Sequence, residues 1–225
     1  MIVKYISSIR NSLLLLLVGI YLSSANSALQ AQSHYQEVKI LSEFGYSNEA
    51  LYFPGSESGS PETAVVLVHQ SSAHKESWTD FALALQNKGI PSLSIEDVGR
   101  RDVLDAIQYL KDKGHQKVML VGASIGGGAV LQASSQANKK MDGVVTKVVL
   151  LSTSSASAIV TPGIDKLFIV AKSDMWGSDS HDIFEESTEP KKLYEFEGFA
   201  HGQDLLVGKD GKEITTLILN FLSVH

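Results

Sequence analysis

The sequence predicts an α/β fold: a doubly wound, mostly parallel β-sheet with helices on both faces, preceded by an antiparallel hairpin. Short apolar segments rich in β-branched residues recur along the chain and are typical of buried strands. Segments with helical spacing, about ten to fifteen residues long, alternate with these strands from residue 64 onward. The chain has 225 residues, 44% of them hydrophobic and 20% charged, which suits one globular domain with a full core.

Local patterns predict each element in turn. Two apolar segments on either side of a polar turn around Asn48 predict the hairpin, and the Gly, Ser and Pro content of 54–62 predicts a loop. Glycines that follow two amphipathic segments are typical helix ends. The predicted strands are 37–42, 49–53, 64–69, 90–95, 117–121, 147–151, 166–171 and 192–196, and the predicted helices are 76–88, 101–113, a segment from 125 onward, and 214–222.

The N-terminal region, 1–28, has the pattern of a secretory signal peptide. A start with two basic residues precedes an unbroken apolar stretch over 13–22, and small or polar residues follow it. Cleavage is expected after Ala28 or Ala25, which leaves a folded domain over 36–225. Because the apolar stretch covers only about half of a membrane span, retention as an anchor is the weaker alternative. We therefore expect an exported protein, periplasmic or secreted, with no stable membrane insertion after cleavage.

Composition excludes several classes of function. The chain has no cysteine, so an exported form has no disulfide, no thiolate nucleophile and no cysteine for lipid attachment. A formal net charge of -6 argues against nucleic acid or an anionic membrane surface as a partner. No sequence pattern indicates an oligomeric state.

The most informative segment is 117–128, where an apolar strand leads into GASIG at 122–126 and then into helical spacing. A serine placed between two glycines after a strand is typical of a tight turn that lifts its hydroxyl clear of the backbone. Residues two positions before and after it must be small, and Gly122 and Gly126 are. We therefore expect Ser124 to be a nucleophile. The alternative is a Gly-rich turn that only packs closely or binds phosphate, although G-x-G-x-x-G spacing and a phosphate-loop lysine are absent.

Two further reactive side chains follow later strands at the same predicted edge of the sheet. His201 lies between glycines in the loop before the last helix, where a neutral imidazole could accept the serine proton. Asp174 directly follows the strand 166–171, a position from which a carboxylate would orient the imidazole. Asp179 and Asp182 are rivals for that role, whereas the loop after the preceding strand carries no acid.

Acyl transfer also needs two backbone N–H groups that face the developing oxyanion. Ile125, directly after the nucleophile, would provide one, and Ser71 or Gln70, after the strand 64–69, would provide the other. His69 is expected to pack or hydrogen-bond beneath the site. No ligand spacing indicates a metal site, and this chemistry requires no cofactor.

In the chain order Ser124, Asp174, His201, these residues resemble the catalytic triad of the α/β-hydrolase superfamily. Over 37–222 the chain is most similar to its compact, dienelactone-hydrolase-like esterases. The resemblance implies that the serine is the nucleophile, the histidine the general base and the aspartate the orienting acid. Two departures stand out: a cysteine nucleophile is absent, and Gln70 replaces the glycine of the usual His-Gly pair.

Only about fifteen residues separate the strands 147–151 and 166–171, where many relatives insert a lid. An open site is expected, better suited to polar or short-chain substrates than to long lipids in a tunnel. Trp176 either lines the pocket or caps the core. We therefore expect an exported serine hydrolase that cleaves a small-molecule carboxylic ester, or a thioester or amide, through an acyl-enzyme. The alternative is a non-catalytic binding protein on the same fold.

Overall fold

The computed structural model describes residues 34–42, 45–55, 62–154, 156–159 and 161–223. The predicted signal peptide and most of the predicted loop 54–62 lie outside these residues. Within the described ranges, no helix is both long enough and apolar enough to cross a membrane.

Strands and helices alternate from residue 63 onward as predicted, except that the sequence pattern does not predict the helix Gly177–Glu186. The strands are β1 (Gln36–Leu41), β2 (Ser47–Phe53), β3 (Thr63–Val68), β4 (Ser92–Ile95), β5 (Lys117–Ala123), β6 (Val145–Leu151), β7 (Asp165–Ala171) and β8 (Lys191–Phe196). The helices are α1 (Thr79–Asn87), α2 (Arg100–Asp112), α3 (Ile125–Lys140), α4 (Gly177–Glu186) and α5 (Gly211–Leu222). Two short 3₁₀ helices, Lys75–Trp78 and Gly202–Leu206, precede α1 and α5.

The hairpin of β1 and β2 is antiparallel as predicted, but its turn is not at Asn48. That residue lies inside β2, opposite Ile40 of β1, and its side chain is buried. Its carboxamide donates to the carbonyl oxygen of Asp97 at 3.2 Å and accepts from the N–H of the same residue at 3.1 Å. Because two backbone groups of a neighbouring loop occupy this side chain, an asparagine that is typical of turns here serves as a strand residue.

The sheet has the strand order β1-β2-β4-β3-β5-β6-β7-β8. Only the pairs β1–β2 and β2–β4 are antiparallel, and the other neighbours are parallel. The chain winds from β3 to β4 in one direction and then crosses to β5 on the opposite side of β3. Sheets of this kind bind ligands beyond the carboxyl ends of the strands where the winding reverses. The switch point here lies between β3 and β5, whose ends adjoin at Val68 and Gly122.

Helices cover both faces of the sheet, as predicted. Helices α2, α3 and α4 pack their apolar sides on one face, through residues such as Ile107, Val130 and Ile183. Helices α1 and α5 pack on the other face together with Trp78. The apolar strands β3 and β5 are therefore buried on both sides, which fixes the position of the loops at their carboxyl ends.

Candidate active site

Ser124 lies at the switch point, between the end of β5 and the start of α3. Its backbone has φ 51° and ψ −118°, a conformation that L-residues rarely adopt. A Cβ added at Gly122 would lie 2.6 Å from the carbonyl oxygen of Gly126, and one added at Gly126 would overlap the carbonyl oxygens of Val68 and His69. The turn therefore has the crowding that calls for small residues at both positions, because α3 begins directly against the end of β3.

The three side chains predicted to form the catalytic group lie in hydrogen-bonding contact. The Oγ of Ser124 is 2.8 Å from Nε2 of His201, and Nδ1 of His201 is 2.9 and 3.0 Å from the two carboxylate oxygens of Asp174. The imidazole thus bridges a hydroxyl and a carboxylate. In this arrangement Nδ1–H donates to the carboxylate, which leaves Nε2 as the acceptor for the serine proton.

Asp174 is fixed by the loop between β7 and α4. Its side chain is 1% exposed, and Oδ1 also accepts the backbone N–H of Trp176 at 3.0 Å. The rivals Asp179 and Asp182 lie on α4 with exposed side chains. The structure therefore brings Asp174, and neither rival, to the histidine.

His201 follows β8 in a loop that adjoins the loop of Asp174. The N–H of Ser173 donates to the carbonyl oxygen of Gly198 at 3.0 Å, which ties the two loops together. Gly202 has φ 56°, a conformation that favours glycine, and it begins the 3₁₀ helix directly after the histidine. About a quarter of the His201 side chain is exposed, so a substrate can reach it from solvent.

The three residues predicted to donate backbone N–H groups to the oxyanion differ in how well the structure suits them to that role. Ile125 is the first residue of α3, where a backbone N–H has no acceptor within the helix. The N–H of Gln70 donates to Oε1 of Gln203 at 3.1 Å, so it is already engaged and Gln70 is a poor donor for an oxyanion. Ser71, in the exposed turn that follows, is the better candidate for the second donor.

Gln203 is a site residue that the sequence does not reveal. Its side chain is buried, and besides accepting from Gln70 it donates through Nε2 to Oγ of Ser77 at 2.9 Å. In return, the backbone N–H of Gln203 donates to Oε1 of Gln70 at 2.7 Å. This reciprocal pair joins the loop after β3 to the loop of His201. The sequence signal for this pair is Gln70, which stands where the α/β-hydrolase pattern usually has glycine.

His69 lies beneath the site as predicted. Its Nδ1 is 2.7 Å from the carbonyl oxygen of Gln70 and its Nε2 is 2.8 Å from that of Glu96, and the ring is buried. Both ring nitrogens therefore face backbone oxygens rather than the hydroxyl of Ser124.

The Glu96 carboxylate braces the same loop from the far side. Burial acts to raise its pKa, but hydrogen bonds from the Lys75 backbone, the His74 ring and the Lys75 ammonium prevail and lower the pKa to about 2. The three contacts measure 3.1, 3.0 and 3.4 Å. Ionised Glu96 thus anchors the start of the 3₁₀ helix that follows the candidate oxyanion loop.

The surroundings of the site are open. Trp176 is 58% exposed, so the alternative that it caps the core is wrong. A groove of about 560 Å³ beside the Gln70–Gln203 pair is lined in part by Phe81, Leu206 and Val207. A larger cavity of about 730 Å³ lies along α2 and contains none of the three candidate catalytic side chains.

No protein-family model and no curated protein sequence matches the chain. Solved structures do match it. An esterase from Pyrobaculum calidifontis superimposes with a TM-score of 0.70 at 13% identity, covering 84% of each chain. A dienelactone hydrolase from Anabaena variabilis superimposes with a TM-score of 0.67 at 21% identity. The match covers 83% of this chain and 96% of the other. An α/β hydrolase from a Penicillium species superimposes with a TM-score of 0.69 at 16% identity. The match covers 84% of this chain and 97% of the other.

At these identities the likeness establishes the fold and nothing finer. In this chain the fold consists of a mostly parallel eight-stranded sheet, an antiparallel hairpin at its start and helices on both faces. The chain therefore has the fold of the α/β-hydrolase superfamily, as its sequence predicts.

Proposed function

We propose that the protein is an exported serine hydrolase that cleaves a carboxylic ester through an acyl-enzyme on Ser124. The observation that carries the proposal is the position of the His201 ring, with one nitrogen 2.8 Å from the serine hydroxyl and the other 2.9 Å from Asp174. A hydroxyl is a weak nucleophile unless a positioned base removes its proton, and this geometry provides that base.

In the first half-reaction, Oγ of Ser124 attacks the ester carbonyl while Nε2 of His201 takes its proton. The carbonyl oxygen becomes an oxyanion, which the N–H groups of Ile125 and Ser71 would stabilise. The imidazolium, paired with Asp174, then gives its proton to the departing alkoxide. An alcohol leaves, and the acyl group stays on the serine.

Water completes the cycle. His201 takes a proton from a water molecule, whose oxygen attacks the acyl carbon and forms a second oxyanion at the same N–H groups. Collapse of this intermediate returns the proton to Oγ of Ser124 and releases the carboxylic acid. Every proton in this cycle passes through one imidazole, and water is the second substrate.

Other observations support the substrate class and the location. Several structurally similar proteins are named esterases, and one is a dienelactone hydrolase. The basic start and apolar stretch of 1–28 support export with cleavage. An ester is favoured over an amide because several of the similar structures are named esterases.

The test combines a fluorophosphonate probe with hydrolysis of p-nitrophenyl acetate. The parent protein should be labelled and should turn over the ester, whereas Ser124→Ala should lose both, with kcat lower by about 10⁴-fold or more. Ser47→Ala is the matched control, because this serine is exposed at the start of β2, and two strands, β4 and β3, separate β2 from β5.

Equal labelling of Ser124→Ala and the parent would show that another residue is the nucleophile. If the folded parent neither labels nor turns over esters, the alternative of a non-catalytic binding protein on this fold replaces the proposal.

A further inference from the structure

Large apolar side chains are exposed beside each of the three candidate catalytic residues. Of the eight such side chains among the described residues, four lie within two positions of a candidate catalytic residue. They are Ile125 at 40%, Met175 at 84%, Trp176 at 58% and Phe199 at 80% exposure. We refer to these four residues as the apolar collar.

The collar residues are tied to the site by backbone contacts. Ile125 follows Ser124 in the chain, and the N–H of Trp176 donates to the carboxylate of Asp174 at 3.0 Å. Phe199 lies in the loop whose Gly198 oxygen accepts from the loop after β7. Because His201 hydrogen-bonds to both of the other candidate catalytic side chains, the collar residues stand around one small region of the surface.

Single exposed apolar residues are ordinary on protein surfaces, but a cluster of them marks a place where apolar material binds. The exposed charged side chains on the loops after β7 and β8 do not make the collar suitable for a charged ligand. Lys172 and Glu197 form an ion pair with each other, which raises the pKa of the lysine and lowers that of the glutamate. Apart from the carboxylate of Asp174, which is buried against His201, the collar therefore offers apolar contact without an unbalanced charge for an ionic group of a ligand.

The position of the collar decides what occupies it. A second copy of the chain or a partner protein seated on all four residues would cover the hydroxyl of Ser124 and the exposed edge of His201. A substrate chain attached to the reacting carbonyl has to leave the site across these same side chains. Of these occupants, only the substrate is compatible with an accessible nucleophile.

We propose that the apolar collar binds the hydrocarbon chain of an ester longer than the short-chain substrates that an open site suggests. This inference rests on the proposed function. The hydrocarbon chain of the substrate would lie on the protein surface, against Trp176 and Phe199, rather than in a buried tunnel. Specificity for length then comes from four exposed side chains.

The test is a series of p-nitrophenyl esters from acetate to octanoate, each below its solubility limit. Burial of one CH₂ group is worth about 0.8 kcal/mol, or roughly fourfold in binding, and a surface contact buries about half of it. We expect kcat/KM to rise about twofold per CH₂, on the order of 50-fold across the series. In Phe199→Ser and Trp176→Ser this rise should shrink to about tenfold or less.

Leu41→Ser is the matched control, because Leu41 is 77% exposed on β1, at the opposite end of the sheet from β8. It should leave the chain-length dependence unchanged. Since the collar residues are exposed, thermal unfolding midpoints should stay close to that of the parent.

The inference would be overturned if kcat/KM of the parent did not depend on chain length, or if its rise with chain length were unaltered in both collar variants. The proposed function would still stand in either case, provided that acetate turnover depends on Ser124. A dimer that dissociates in the collar variants, with the chain-length dependence unaltered, would assign the collar to a second copy and overturn it as well. Absence of any turnover by the parent would remove the proposed function and this inference together.

Discussion

Replacing Gln203 by leucine removes both hydrogen bonds of its carboxamide, to the N–H of Gln70 at 3.1 Å and to Oγ of Ser77 at 2.9 Å. The bond from the Gln203 N–H to Oε1 of Gln70 remains, because it uses the backbone. The half-buried Gln70 N–H loses its partner, which costs about 1–3 kcal/mol where water cannot replace it, whereas the exposed Ser77 hydroxyl regains water. We therefore expect a loss of about 2 kcal/mol in the free energy of unfolding.

The same substitution should also lower activity. The lost bond fixes Gln70, which directly precedes Ser71, the better candidate for the second oxyanion donor. Removing one such donor outright typically costs about 10²- to 10³-fold in kcat, and loosening the loop that carries it should cost less, on the order of tenfold. Because the donor acts on the transition state, KM should change little.

Urea unfolding at neutral pH measures the first effect, and p-nitrophenyl acetate kinetics measure the second. A thermal scan should show a midpoint lower by about 4–8 °C. Gln108→Leu is the control, since this glutamine is exposed on α2 and its side chain donates to Asp112 of the same helix at 2.8 Å. If Gln203→Leu unfolds within about 0.5 kcal/mol of the parent and keeps its kcat, the reciprocal pair has no role in the fold or the site.

Three further substitutions test other parts of the structure. Asp174→Asn should lower kcat by about 10⁴-fold while Asp179→Asn has no effect, and equal losses in p-nitrophenyl acetate turnover would contradict the hydrogen bond to the histidine. Gly126→Ala should unfold at clearly lower urea concentration than the parent, because its Cβ overlaps two carbonyl oxygens at the end of β3, whereas at Gly208 a Cβ meets nothing closer than 3.6 Å. The lowered pKa of Glu96, about 2 when folded, means that ionised Glu96 stabilises the protein above its ordinary pKa of 4.5 and that this contribution is lost as the pH falls toward 2. Glu96→Gln should therefore be less stable than the parent at pH 7 but not near pH 2, and a pH-independent gap in urea unfolding would refute this.

The sequence predicts the sheet well for a physical reason. Buried parallel strands are apolar along their whole length, so each appears in the sequence without knowledge of its neighbours. The strand limits are less accurate. β5 is predicted to end at Val121 but runs to Ala123, because Gly122 and Ala123 pair with β6. A glycine with low strand propensity is kept in the sheet by its neighbours.

Helix α4 is absent from the prediction because its sequence, GSDSHDIFEE, is polar and buries few side chains, chiefly Ile183. Its helical state depends on contacts made elsewhere in the chain. Ser180 donates to the carbonyl oxygen of Thr153 at 2.9 Å, and Glu195 of β8 meets His181 at 3.1 Å. Such long-range contacts leave no periodic pattern in the sequence.

Gln70, which stands where the family pattern usually has glycine, has a structural role that its contacts explain. A glycine at this point would leave room between the loop after β3 and the loop of His201. The glutamine fills that room: a Cβ added at Gly202 would overlap its Oε1. Gln203 then occupies the Gln70 N–H that a simpler loop could offer to an oxyanion. The two glutamines and Gly202 are therefore expected to vary together. A larger residue at 202 displaces the Gln70 side chain, and a residue without an amide at 203 leaves the half-buried Gln70 N–H without its side-chain partner.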